Sequence, residues 1–403
     1  MIPARETLEA LARIHGPSFF LLDRARFGEN YDALLGAVRR RYAKSQLAYS
    51  YKTNYLPALC RMVEERGGYA EVVSPMEYRL ARTLGVASAR IVYNGPWKPA
   101  QDLRRALLEG AMVNLDSSEE IAVLRAVAAE HPQRRFGCAL RCNFDIGERS
   151  RFGFDELRQP AGEVRGIPNA VLEGLHCHYA TRDRSARSYG QIAERMLERA
   201  DEIFGGAPPR YLNLGGGFFS PMPESFRAQF GVHVPSFDEY AEALAAPLAR
   251  RYGRGEGPEL ILEPGLCLVA DAMRFCTPVT ALKTIGRKRI AVVAGSVYDV
   301  KPTKHGKNLP LSVVAGPGSG HSVHDCDITG NTCMEDDVLY RGYSGKLAIG
   351  DYLVFDNVGA YTMVLKPPFI FPAAPVLALE ASGKAEVVRR AERYEDVFGT
   401  FPT

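Results

Sequence analysis

Short apolar runs alternate with helix-length stripes along most of the chain. Runs at 46–51, 69–73, 91–94, 112–116, 136–142, 170–178, 210–214 and 259–263 are brief and mostly bounded by polar or turn residues, the pattern of strands. Between them apolar residues recur near every 3.6 positions. Tyr189, Ile192, Met196, Ala200 and Ile203 make one such stripe, and Phe27, Tyr31, Leu34, Leu35 and Val38 make another ahead of the first run. Ser117 with Glu120, and Ser236 with Glu239, have capping-box spacing and predict two helix starts. Eight strands alternating with helices over roughly 250 residues predict a (β/α)8 TIM barrel, with a doubly wound open sheet as the structural alternative. Past residue 269 the pattern shifts to short apolar segments at 282, 289–293, 311–314, 352–356, 362–365 and 376–379, broken by Gly, Pro and Asp. That texture predicts a second, all-β domain of sandwich or barrel type. The expected division is a barrel over 25–269, with 1–24 and 270–403 forming the β domain.

Composition narrows the class. A chain of 403 residues, 46% hydrophobic and 24% charged, has the balance of a two-domain globular enzyme. A net charge of +3 is too near neutral to argue for nucleic acid or an anionic membrane. Eight cysteines are scattered with no Cys-x-x-Cys pair, against both a disulfide scaffold and a zinc ribbon. There is no signal-like start and no run of about 18 apolar residues, so the expectation is a cytoplasmic protein.

In a barrel of this kind chemistry collects at the C-terminal ends of the strands. Read in order, those ends offer Lys52, Glu71, Asn94, Asp116, Arg141 with Asn143, His176 with His178, Gly215–Gly217, and Glu263. Lys52 ends an apolar, aromatic strand; it either snorkels out or forms a Schiff base, its amine made nucleophilic by burial. Gly215, Gly216 and Gly217 follow a strand, either as a plain tight turn or as a loop of backbone N–H groups for a phosphate. His176 and His178 share one strand face, which fits a metal, a backbone-bonded core histidine, or an imidazole packed on a cofactor ring. Glu263 either caps a loop or pairs with a pyridine nitrogen. Taken together, an amine for an aldehyde, a glycine loop for a phosphate, a histidine for a ring face and a carboxylate for a ring nitrogen specify pyridoxal 5′-phosphate.

Tyr49-Ser-Tyr-Lys52-Thr-Asn54, Val73-Ser-Pro-Met-Glu77, Asp116-Ser117, Ser150-Arg-Phe-Gly153, Gly174-Leu-His-Cys-His178, Gly215–Gly217, Glu263-Pro-Gly265, Gly330-Asn-Thr-Cys333-Met-Glu-Asp-Asp337 and Gly359-Ala-Tyr361 occur in that order. Jointly they resemble the fold-type III pyridoxal-phosphate decarboxylases, the family of diaminopimelate and ornithine decarboxylases, over nearly the whole chain. The resemblance implies that Lys52 carries the cofactor and that His178, rather than His176, stacks on it. Thr181, Gly215–Gly217, Glu263, Gly265 and Tyr361 would be further cofactor contacts. It also implies a homodimer in which the β domain of one subunit completes the barrel site of the other, so that Cys333 arrives from the partner and protonates Cα. The cysteine also favours decarboxylation over racemisation, because the related alanine racemases use a tyrosine as second base and lack this motif.

The departures concern the substrate. After the cysteine the family enzymes for basic diamino substrates carry an acidic residue; here Met334 stands there, and a thioether cannot balance an ammonium. Glu263-Pro-Gly is followed by Leu266 instead of Arg, the Arg-Pro segment reads Lys301-Pro302, with Lys304, His305 and Lys307 beyond, and Phe-Asn reads Phe369-Ile370. The expected activity is Cα decarboxylation of an amino acid that is not a simple basic diamino acid. An acidic, acylated or carrier-linked amino acid of a specialised, siderophore-type pathway is expected, contacted by Met334, Lys301, His305 and Asp337. Diaminopimelate decarboxylase proper, an amino-acid racemase, a metal-dependent barrel hydrolase and a non-catalytic regulatory homologue are the alternatives.

Overall fold

The computed structural model describes residues 2–147, 149–179, 181, 183–318, 320–379 and 384–402. The chain divides into two compact units, one of Glu29–Phe219 with Val232–Cys267 and the other of Met1–Gly28, Ser220–Gly231 and Leu268–Thr403. The first strand, β1 (Phe19–Leu22), belongs to the second unit.

The first unit is a closed parallel barrel of β2 (Ser45–Ser50), β3 (Tyr69–Val72), β4 (Ile91–Tyr93), β5 (Met112–Leu115), β6 (Phe136–Arg141), β7 (Ala170–His176), β8 (Tyr211–Asn213) and β9 (Glu259–Leu262). Closure is made by β2 pairing β9, with Ser45 opposite Leu260. These strands read as apolar runs because helices cover their outer face and side chains fill the inside. Ala48, Val92, Met112, Ala139, Tyr211 and Ile261 form one such interior cluster. The helix Ala186–Phe204 buries the stripe expected for it, adding Ala193 and Leu197, and ends at Gly205 in the left-handed conformation. At Ser236 the capping box forms in full. At Ser117 it does not: the Ser117 side chain makes no cap bond, and Glu120 instead accepts from Asp116 N at 2.9 Å and pairs with Lys98 at 2.8 Å.

The second unit is a nine-stranded mixed sheet in the order β14-β13-β11-β10-β1-β16-β17, with β15 pairing β10 and β12. Its strands are β10 (Met273–Ile285), β11 (Lys288–Val293), β12 (Leu311–Val314), β13 (Ser322–Thr329), β14 (Val338–Lys346), β15 (Tyr352–Phe355), β16 (Val376–Leu379) and β17 (Ala385–Arg389). β1 lies between β10, which it pairs antiparallel, and β16, which it pairs parallel. Leu8 and Leu11 of the helix Arg5–His15 pack with Phe19, Leu21, Cys276, Tyr352, Val354 and Leu377 into its core. The strand expected at 362–365 is absent. Tyr361 takes φ 68°, and its carbonyl accepts from both Val364 N and Leu365 N, so the segment closes a turn.

Candidate active site

Lys52 sits in the single 3-10 turn Tyr51–Thr53 that ends β2. Its Nζ pairs with Glu71 Oε2 on the neighbouring β3 and lies 3.3 Å from Ser50 Oγ. Ser50 Oγ in turn donates to Glu71 Oε2 at 2.5 Å. Burial on its own pulls the Lys52 ammonium down, but the charges of Glu71 and Glu263 outweigh it and hold the group above its ordinary value. This corrects the expectation of an amine made nucleophilic by burial: two buried carboxylates stabilise the protonated form. Glu71 thus accepts the hydrogen bond of the Lys52 ammonium.

Glu263 follows β9 with its side chain 1% exposed. Its Oε1 accepts from Asn94 Nδ2 and Asn213 Nδ2, both at 2.7 Å. Two imidazoles face it, His176 Nε2 at 3.3 Å from Oε1 and His178 Nδ1 at 3.5 Å from Oε2. Burial opposes the charge on Glu263, yet His176, His178 and Lys52 hold the carboxyl well below its usual range. Burial lowers His176 against the pull of Glu263, and its Nδ1 has no hydrogen-bond partner among the described residues. The same amide of Asn94 donates to Glu71 Oε1 at 3.0 Å, so one side chain joins the Lys52–Glu71 pair to Glu263.

The glycine loop closes over this floor. Gly216 N donates to His178 Nδ1 at 3.1 Å, fixing the orientation of that ring. Gly215 and Gly217 take φ of 69° and 98°, and a Cβ on Gly216 would overlap the Glu263 carbonyl oxygen. Gly265 packs against Ser50 and Thr53 with no room for a side chain. Thr181 is buried, and its Oγ1 accepts from Arg184 N at 3.0 Å, shaping the loop after His178. Asp116 and Arg141 form a buried pair at 3.5 Å beside this floor. Glu71 and Asn94 stand among the strand ends picked from the sequence. The part that Asn213 plays carried no signal beyond its being a polar residue in an apolar strand.

The remaining expected residues lie in the second unit. Cys333 is exposed and free, in the loop between β13 and β14. Asp337 is buried and both its oxygens are engaged, by Val297 N at 2.6 Å, Thr332 N at 3.0 Å and Thr332 Oγ1 at 2.6 Å. The carboxylate expected on the substrate is thus spent on holding the Cys333 loop. Met334 Sδ receives the Tyr298 hydroxyl at 3.6 Å. Lys301 is buried, donates to Lys307 O at 3.3 Å, and has no carboxylate within 4 Å among the described residues. Burial and the nearby Arg341 lower it to about 8. His305 Nδ1 is buried without a partner, and burial beside Lys301 and Lys307 lowers this imidazole to about 4. Lys304 is instead paired with Asp336 at 2.8 Å. Tyr361 opens the turn described above.

The profile of the pyridoxal-dependent decarboxylases (pyridoxal binding domain) matches residues 31–270, and the chain belongs to this family. It is an enzyme that uses pyridoxal phosphate to decarboxylate an amino acid. Diaminopimelate decarboxylase of Methanothermobacter thermautotrophicus is 28% identical, over 96% of this chain and 92% of the relative. That of Deinococcus radiodurans is 26% identical, over 98% of each. The structure of diaminopimelate decarboxylase from M. jannaschii with L-lysine superposes with a TM-score of 0.87 at 22% identity, over 98% of this chain and 94% of that one. The lysine/ornithine decarboxylase of Vibrio vulnificus with putrescine gives 0.76 at 20%, over 94% and 99%.

The residues at this barrel end fit the cofactor. An amine, a loop with no Cβ in the way of its backbone, an imidazole fixed by that loop and an ionised carboxylate converge there. While Oε1 of Glu263 is taken by two amides, Oε2 lies 3.5 Å from His178 Nδ1 and keeps acceptor capacity. Among the described residues no group of three or more His, Cys, Asp or Glu is arranged to hold a metal ion, and no helix is long and apolar enough to cross a membrane.

Proposed function

We propose that the enzyme decarboxylates an amino acid whose distal end carries an anionic or acylated group and no free ammonium. Lys52 would hold the cofactor through its aldehyde carbon, Gly215–Gly217 its phosphate, His178 its ring face and Glu263 its ring nitrogen, with Thr181, Gly265 and Tyr361 completing the surround. Bound pyridoxal phosphate supplies an electron sink for the pair left at Cα when carbon dioxide departs. The chain's own residues do the rest. Glu71 takes and returns the Lys52 proton, and Glu263, kept ionised by the neighbouring imidazoles and Lys52, holds a proton on the ring nitrogen. The Cys333 thiol, from a second copy of the chain, delivers a proton to Cα.

The observation that carries the substrate class is the Cys333–Asp337 loop. Next to the cysteine stands a thioether bonded by Tyr298; Asp336 is spent on Lys304 and Asp337 on backbone N–H groups. Beside it, buried Lys301 lacks a counter-ion, which supports an anion as its partner. Diaminopimelate is the second reading. It is supported by the names of the relatives and by Glu335, an exposed carboxylate that could receive an ammonium. A screen for carbon dioxide release across acidic, N-acyl and diamino acids separates the two: turnover restricted to diaminopimelate overturns the first. Mixing Lys52→Ala with Cys333→Ala subunits tests the shared site. Neither variant alone turns over, and recovery of activity on mixing is the expected result.

A further inference from the structure

We propose that Asn94, held by Asn114 and Tyr211, is a positioning residue that fixes Glu71 and Glu263 as a pair of separated carboxylates, one serving Lys52 and the other the cofactor ring. This rests on the reading of Lys52 and Glu263 given above, and extends it to three side chains that touch neither substrate nor cofactor in that reading.

A line of hydrogen bonds crosses the barrel interior. Tyr211 OH, on β8, donates to Asn114 Oδ1 at 3.0 Å. Asn114 Nδ2, on β5, donates to Asn94 Oδ1 at 2.7 Å. Asn94, at the end of β4, then has both amide hydrogens left, and it spends one on Glu71 Oε1 at 3.0 Å and one on Glu263 Oε1 at 2.7 Å. Direction along this line is set at its carboxylate end. Ionised Glu71 and Glu263 can only accept, so Asn94 must aim its NH2 at them and present its oxygen to Asn114 Nδ2. That leaves Asn114 Oδ1 to accept from Tyr211 OH. A flipped Asn94 would set its oxygen against two anionic oxygens. All five groups are buried, with Asn94 at 3% and Asn114 at 1% exposure, so water cannot stand in for a lost donor.

The electrostatic consequence is specific. Two carboxylates that share one NH2 group lie close enough to repel through a poorly screening interior, and like charges so placed are relieved by taking up a proton. Each Asn94 hydrogen stabilises the ionised form of its acceptor. The other charged or titratable groups around the pair are Lys52 beside Glu71, Glu77 from the helix Pro75–Thr83, and His176, His178 and Arg141 from the far wall. None of these bridges the two acids as Asn94 does. Without the bridge each acid loses a donor to its ionised form, and the acid limb of activity moves to higher pH.

The test is a pH titration of the visible absorption of the cofactor-loaded enzyme, run beside kcat and KM, for wild type, Asn94→Leu, Asn114→Leu and Tyr211→Phe. The expected result is that the acid limb of both profiles moves up by about one pH unit or more in Asn94→Leu and Asn114→Leu. It moves in the same direction but less in Tyr211→Phe, and kcat falls by about tenfold or more while KM changes little. Should the two leucine variants not fold, Tyr211→Phe, which removes one oxygen, carries the test. Folded variants that lose kcat with the pH limbs unmoved overturn the proposal and leave Asn94 a packing residue. A wild type that gains no visible absorption on adding pyridoxal phosphate overturns instead the reading of Lys52 and Glu263 beneath it.

Discussion

The backbone carbonyl of Glu263 occupies the space that a side chain on Gly216 would need. The two residues belong to neighbouring strand ends, β8 and β9, so the loop read as a phosphate cradle and the carboxylate read as the ring partner are set at a fixed separation by backbone contact. Gly216→Ala cannot be absorbed by a side-chain rotation. It is expected to cost about 3 kcal/mol of stability and to weaken cofactor affinity, read by urea denaturation with and without pyridoxal phosphate. A variant as stable and as tightly loaded as wild type would show that the loop can move away from Glu263.

Lys98 and Glu120 form a buried pair, with side chains 0% and 6% exposed. Glu120 also accepts from Lys98 N and Asp116 N, so it cannot leave. Lys98→Met strands that carboxylate and is expected to cost about 3–5 kcal/mol. Adding Glu120→Gln, which removes the charge but keeps only one of the two oxygens that accept backbone N–H groups, should recover part of the loss in a denaturation cycle.

Glu77 is buried, and desolvation raises it to about 7, despite its bond from Val73 N at 2.7 Å. An acid whose folded value lies above its unfolded one stabilises fully at low pH and loses that contribution as pH rises from about 4.5 to about 7. The stability of wild type relative to Glu77→Gln should therefore fall by up to about 3 kcal/mol between pH 4 and pH 8. Urea midpoints at the two pH values check it, and a constant difference would count against a protonated Glu77.

Asp337→Ala leaves Val297 N, Thr332 N and Thr332 Oγ1 without their acceptor. The Cys333 loop should loosen while the barrel is untouched. Expected are a lower kcat and an unchanged visible absorption of the bound cofactor. A change in that absorption would mean that Asp337 acts on the cofactor itself.

Lys301, lowered to about 8, should bind an anionic substrate only while protonated. For such a substrate kcat/KM is expected to fall as pH rises through about 8. Lys301→Gln should remove that limb. A limb that survives the substitution belongs to another group.

The barrel was readable because parallel strands covered on both faces are near-continuous apolar runs, and all eight appear as such within a residue or two at their ends. The mixed sheet was less so. β13, Ser-Val-His-Asp-Cys-Asp-Ile-Thr, and β14 bury only some of their residues, and their strand character comes from pairing with β11 and with each other. Those are contacts no local pattern reports. Conversely 362–365 looks like a strand and is turned aside by the left-handed Tyr361. Of the site, Lys52, His178, the glycine loop and Glu263 announced themselves as unusual residues at strand ends. Asn94 stood among them too, but its line to Asn114 and Tyr211 did not show, because an asparagine such as Asn114 inside an apolar run signals nothing until its neighbours across the barrel are known.

The place of β1 bears on how the chain folds as it is made. Phe19–Leu22 is an interior strand of its sheet, yet both of its neighbours, β10 and β16, are translated only after the whole barrel sequence. The N-terminal segment must wait, apolar and unpaired, while Ser45–Leu262 can already close upon itself. Sheet assembly then requires a closure between the two extremes of the sequence, a slow, long-range step. Clipping either end should thus leave the other strand-forming end exposed as an adhesive edge, so aggregation of truncated chains is expected to depend on residues 19–22 and 376–379.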